Sequence, residues 1–137
     1  MRSLCLSCGL LLLVVAAGCG GPKAVIVKGK LTQGGKSILA DRKSGVTMVF
    51  VPVVDETRGT TYPAGFNSDD DTFQVYGPNQ KGLPMGKYKV TLTIMAAKDE
   101  KPVEKFNQQY GAQDKTPIVV DVTGPDLNID LANFKGS

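Results

Sequence analysis

Apolar and polar residues alternate along much of this chain, and the alternation is cleanest from Lys87 to Ile94. There Tyr88, Val90, Leu92 and Ile94 share one face, while Lys87, Lys89, Thr91 and Thr93 share the other. Successive side chains of a strand point to opposite sides, so this period of two predicts a strand with one buried face and a well-specified register. Ala24–Leu31 reads the same way, with Val25, Val27 and Leu31 set against Ile26, Lys28 and Lys30; Leu127–Leu131 alternates strictly. Val46–Val51 is almost wholly apolar and largely β-branched, which predicts an interior strand ended by Pro52. Shorter strands are predicted over Thr60–Tyr62 (Pro63 near its end), Thr72–Tyr76 and Pro117–Val122, with a short edge piece at Ser37–Ala40. Turn residues punctuate these runs at Thr32–Lys36, Asn67–Asp71, Gly77–Gly82 and Gly124–Asp126, and polar loops at Asp41–Gly45 and Asp55–Gly59.

The connection Lys98–Thr116 breaks the pattern. It is polar and too long for a structureless loop in a compact domain. Val103, Phe106 and Tyr110 recur at helical spacing, predicting a short amphipathic helix that begins near Pro102. The expectation is therefore an all-β antiparallel sandwich of about seven strands with one short helix in that connection. Few connections could hold the crossover helices of a parallel sheet.

The amino-terminal stretch obeys neither period. Leu4–Ala17 is an apolar run interrupted by Cys5, Ser7, Cys8 and Gly9, and only Arg2 is charged before Lys23. It is shorter than the roughly 20 apolar residues a transmembrane helix needs, and suits the apolar core of a secretory signal peptide. Ala17-Gly18-Cys19 follows it, and Gly20-Gly21-Pro22 breaks any helix. This resembles the bacterial lipobox, with Ala16 where leucine is usual, and implies acylation of Cys19. Each buried acyl CH2 contributes about 0.8 kcal/mol, so two or more chains make a stable membrane anchor. The organisation expected is residues 1–18 as signal peptide, 19–23 as lipidated tether, 24–134 as the β domain and 135–137 as tail. Gly20 rather than Asp after the cysteine implies the outer membrane or periplasmic face over inner-membrane retention. Rival readings are a lipobox at Cys8, an uncleaved anchor, and ordinary cleavage that leaves a thiol.

Composition narrows the chemistry. Removing residues 1–18 from the 137 leaves 119, enough for one domain with a real core. All three cysteines lie at or before position 19, so the domain has no disulfide, and histidine is absent throughout. That excludes histidine triads and histidine or cysteine metal sites, and no cofactor is expected. With 16 basic and 13 acidic residues the charge excess is mild and does not point to nucleic acid. Tryptophan is absent and tyrosine and phenylalanine are few, so aromatic platforms for bases or sugars are not expected.

An ordered set of short motifs carries a second resemblance. These are Val27-Lys28-Gly29-Lys30-Leu31-Thr32, Val49-Phe50-Val51-Pro52, Asp69-Asp70-Asp71-Thr72-Phe73 (threonine where glycine is usual), and Gly82-Leu83-Pro84-Met85-Gly86-Lys87-Tyr88-Lys89-Val90. Lys105-Phe106 and the closing Leu-Asn-Ile-Asp-Leu strand follow them. In this order the chain is similar to small lipoproteins of planctomycete-type bacteria that carry a carboxypeptidase-regulatory-like or transthyretin-like domain. The resemblance implies a prealbumin-like sandwich and no known catalysis. A hydroxyisourate hydrolase of transthyretin type is rejected, because that family uses histidines and a characteristic tail, and this chain ends Phe134-Lys135-Gly136-Ser137.

The remaining candidates each face a plainer reading. Asp69, Asp70 and Asp71 offer hard oxygens to Ca2+ but lack alternating ligand spacing; a solvated turn is preferred. Lys28 or Lys30 with Asn128 could form an isopeptide crosslink, against solvated strand residues. Lys23, Lys28, Lys30 and Lys36 could each gain about 1 kcal/mol from anionic lipid, against scattered solubilising lysines. Lys98–Thr116 could be a binding surface, against a helix that covers a sheet edge. The expected function is a membrane-anchored, non-enzymatic envelope lipoprotein with a structural or binding role. Its expected partners are the membrane through Cys19 and an envelope protein, complex or polysaccharide.

Overall fold

The computed structural model describes residues 23–39, 44–54, 59–95 and 101–134. The leader, Cys19, most of the tether, the tail and most of the loops expected at 41–45 and 55–59 lie outside these residues. The protein is mostly antiparallel β with one helix. Its strands are β1 (Ala24–Val25), β2 (Val27–Gln33), β3 (Lys36–Ser37), β4 (Gly45–Pro52), β5 (Tyr62–Asn67), β6 (Thr72–Val75), β7 (Leu83–Pro84), β8 (Gly86–Met95), β9 (Val119–Val122) and β10 (Ile129–Asp130). The helix, α1, spans Lys101–Tyr110.

Apart from a two-stranded piece formed by β1 and β7, the strands join in one hydrogen-bonded sheet rather than two facing ones. The ladder runs without a break in the order β10-β2-β6-β5-β4-β8-β9, with β3 paired to β2 alone and β1 paired to β7. The sheet is curled, a half-barrel of seven strands. Pairing places like faces together: Val27 opposes Val75, Phe50 opposes Tyr62 and Val90, Met48 opposes Leu92, and Tyr88 opposes Val120. Leu31, Phe50, Val90, Leu92 and Ile118 are completely buried on that concave face. α1 is the one helical element longer than a turn among the described residues, so the sheet buries these side chains largely by curling over them.

Two strands differ from expectation. β5 begins at Tyr62 and continues through Pro63 to Asn67, rather than ending near the proline. Proline is tolerated because β6 pairs with β5 only from Gly65 onward, so Pro63 has a ladder neighbour on one side only, β4. The last strand, β10, pairs parallel to β2, not antiparallel. The crossover a parallel pair requires is supplied by the whole intervening domain.

The turn after β2 is a two-residue hairpin loop with Gly34 and Gly35 at φ 60° and 75°, the conformation that matches the twist of flanking strands. Asp130 ties the chain's end to it. Its carboxylate accepts from the backbone N–H of Gly34 (2.7 Å), Gly35 (2.9 Å) and Ala132 (2.9 Å). The bond from Ala132 and then that from Gly34 hold this carboxyl below the usual aspartate range.

α1 begins within a residue of its expected start and buries Val103 and Tyr110, with Phe106 half-buried. It seals the edge of β8 beyond the reach of β9. The Asn107 side-chain Oδ1 accepts from the Ile94 N–H at 2.8 Å and its Nδ2 donates to the Ile94 carbonyl at 3.0 Å, as a neighbouring strand would. Closer to β9, Ile118 and Thr116 satisfy the backbone of Val90. We expect Asn107→Ala to destabilise the domain by about 2 kcal/mol, because two partly buried backbone groups lose their partner. Urea unfolding measures this, and an unshifted midpoint would mean that water serves that edge equally well.

Candidate functional site

The outward face of β2, β6 and β5 carries an open groove of about 850 Å3. Strand alternation and register build it. In β2 the residues facing the core are Val27, Gly29 and Leu31, so Lys28 and Lys30 point out. Lys28 pairs with Gln74 and Gln74 with Gly65; Lys30 pairs with Thr72 and Thr72 with Asn67. On the far side of β2, Asp126 bridges to Lys28, and the Asn128 Oδ1 accepts from the Lys30 N–H at 2.9 Å. Two polar rows result, Asp126–Lys28–Gln74–Gly65 and Asn128–Lys30–Thr72–Asn67. Gly65 has no side chain, so its end of the first row is low, and Tyr76, 47% exposed, also lines the groove.

The side chains that line this surface can make hydrogen bonds. They offer two ammonium groups, three carboxamides, a carboxylate, a threonine hydroxyl and a phenol. Donors and acceptors at strand spacing along two parallel rows match a polyhydroxylated or amide-bearing chain laid across the strands. One tyrosine is the only exposed aromatic in the lining, in keeping with the scarcity of aromatic residues in the sequence.

The structure gives each residue singled out in the sequence a definite place. Asp69, Asp70 and Asp71 form the β5–β6 turn; Asp69 and Asp70 bond within it, and Asp71 reaches the β2–β3 hairpin. Asp70 accepts from the Thr72 N–H (3.1 Å) and hydroxyl (2.6 Å), which lower its carboxyl from the ordinary value with a smaller contribution from Lys30. Asp71 accepts from the Ser37 hydroxyl at 2.7 Å, and the Asp69 N–H donates to Asn67. No three carboxylates gather into a metal-binding group among the described residues. The left-handed residue of this turn is Asp71, with φ 57°, and Thr72 already belongs to β6.

Lys28, Lys30 and Asn128 do meet, but all three are exposed, and Asn128 spends its carbonyl on a backbone N–H. The four amino-terminal lysines do not cluster: Lys23 precedes β1, Lys28 and Lys30 face the groove, and Lys36 follows the hairpin turn at the other end of β2. The described part of the 98–116 connection covers an edge. Tyr88 packs at 3% exposure and donates its hydroxyl to the Pro84 carbonyl at 2.5 Å. The groove itself went unanticipated. Its outward residues were readable strand by strand, but register alone aligns them into rows.

No helix among the described residues is long and apolar enough to cross a membrane. Comparison with known protein families, with curated proteins and with solved structures finds no match to this chain.

Proposed function

We propose that this chain is an exported lipoprotein, anchored by acyl chains on Cys19, whose β domain is a non-enzymatic binding module of the cell envelope. In this reading the curled sheet is a variant of the transthyretin-like sandwich, with β2, β6 and β5 as one wall and β4, β8 and β9 as the other. The observation that carries the binding role is the pair of polar rows across β2, β6 and β5. Its ligand is an envelope polysaccharide chain, held by hydrogen bonds from Gln74, Asn67 and Asn128 and by the two lysines.

The test has two arms. Cys19→Ala is expected to abolish both the acyl mass and retention in the membrane fraction; a variant that stays in the membranes overturns the anchor. Cosedimentation with purified insoluble envelope polysaccharide tests the groove. Gln74→Ala with Asn67→Ala removes two hydrogen-bonding side chains at about 1 kcal/mol each, so affinity is expected to fall roughly thirtyfold. Equal sedimentation of wild type and variant, or none by either, overturns the glycan role.

A further inference from the structure

The strands of the curled sheet share two ends, and the ends differ in character. At one end the chain enters β1 from Lys23, whose carbonyl accepts from the Met85 N–H at 3.1 Å. The same end holds the close of β4, where the Val53 N–H donates to the Lys87 carbonyl at 3.0 Å, and the turn after β6, where the Gly82 N–H donates to the Tyr76 carbonyl. Six large apolar side chains are exposed among the described residues, and four of them, Val53, Val54, Tyr76 and Met85, are at this end. Val54 is 89% exposed. Lys23 and Lys81 stand exposed beside them. The opposite end is polar, built of Gln33–Lys36 and the Asn67–Asp70 turn, with Met95 as its one large exposed apolar side chain.

An apolar rim flanked by lysines, placed where the chain departs, is unusual for a surface that meets only water. Cys19 precedes Lys23 by four residues, a reach of about 14 Å at full extension. We infer that this end rests on the phospholipid surface, with Val53, Val54 and Met85 in the boundary between headgroups and acyl chains. Tyr76 sits at headgroup level, as amphipathic rings do, and Lys23 and Lys81 meet anionic headgroups. The inference rests on the lipoprotein reading and adds an orientation to it. The strands run along the membrane normal, and the groove opens sideways with its Tyr76 end nearest the lipid.

The protein is suited to a direct test, since every cysteine lies at or before position 19. Spin labels are introduced singly in the full acylated protein by Val54→Cys, Met85→Cys, Met95→Cys and Lys36→Cys. The protein is then inserted through its lipid into vesicles of phosphatidylethanolamine and phosphatidylglycerol in equal parts. Labels at 54 and 85 are expected to show several-fold greater collision with lipid-dissolved oxygen than with an aqueous nickel complex, and labels at 95 and 36 the reverse. Acylated protein with all four labels in water, or with 95 and 36 in lipid, overturns the orientation and leaves the anchor standing. Absence of acyl mass on the wild type overturns the anchor and the orientation together. Position 54 is so exposed that its substitution leaves the fold intact, which keeps the comparison clean.

Discussion

Phe50→Ala is expected to cost about 3–5 kcal/mol of stability, the range for removing a buried phenylalanine and leaving part of its volume empty. Phe50 is completely buried in the second half of β4, which pairs with β8 along its whole length. Its ring centroid is 5.9 Å from Phe73 on β6 and 6.1 Å from Tyr88 on β8, the latter edge-on. Tyr88 in turn meets Tyr62 edge-on at 6.0 Å. The side chain therefore links β4 and β8 to β6 across the concave core of the curled sheet, and none of these strands can collapse into its place without moving the others. A domain of this size has about 5–15 kcal/mol in total, so the variant would be only marginally folded. Phe50→Leu keeps most of the apolar volume and should lose far less. Val54→Ala, at an exposed position, should stay within about 0.5 kcal/mol of wild type. Urea unfolding of the three variants checks the order, and a Phe50→Ala midpoint close to wild type would mean that the rings do not hold the curled sheet together.

How such a residue was legible, and how its neighbours were not, follows from what periodicity records. Alternation within one strand separates inward from outward residues, so Tyr88, Val90, Leu92 and Ile94 could be assigned to the core from sequence alone, whereas the almost wholly apolar run Val46–Val51 marks Met48 and Phe50 only as members of an interior strand. α1 was legible for the same reason, through Val103, Phe106 and Tyr110. Pairing between strands leaves no comparable mark. Nothing in β10 says that it lies parallel to β2, because that depends on where the chain returns after a hundred residues. Nothing in Pro63 says that β6 stops short of it. The curl, too, is a property of the assembled ladder. The groove inherits this blindness, since Lys28, Gln74 and Gly65 are ordinary outward residues until register sets them side by side.

Gly29 shows the limit most sharply, and its substitution should have the second-largest effect. Along β2 the segment before β10 makes a parallel ladder: the Lys28 N–H donates to the Pro125 carbonyl at 2.7 Å, and the Leu127 N–H donates to the Lys28 carbonyl at 2.9 Å. The next regular bond would run from the Lys30 N–H to the Leu127 carbonyl. Instead the Asn128 side chain receives that N–H, and the Leu127 carbonyl turns over the Gly29 Cα. A Cβ at position 29 would stand 1.6 Å from that oxygen and 2.5 Å from its carbon, contacts no atoms sustain. The obstacle is backbone, so no rotamer change relieves it. Gly29→Ala must push residues 125–128 off β2, at an overpacking cost of about 3 kcal/mol. The displaced segment carries Asp126 and Asn128, so the polysaccharide binding proposed for the groove should fall with stability, and the amides of Lys30 and Leu127 should lose protection from hydrogen exchange. Gly124→Ala is the control, because a Cβ there meets nothing within 4 Å. A Gly29→Ala protein as stable and as protected as the control would mean that β10 does not lie where the ladder puts it. The two outermost residues of the groove would then have no fixed seat. If the ladder is as described, this glycine serves the groove by having no side chain, which lets the neighbouring chain come close enough to place Asp126 and Asn128 beside Lys28 and Lys30.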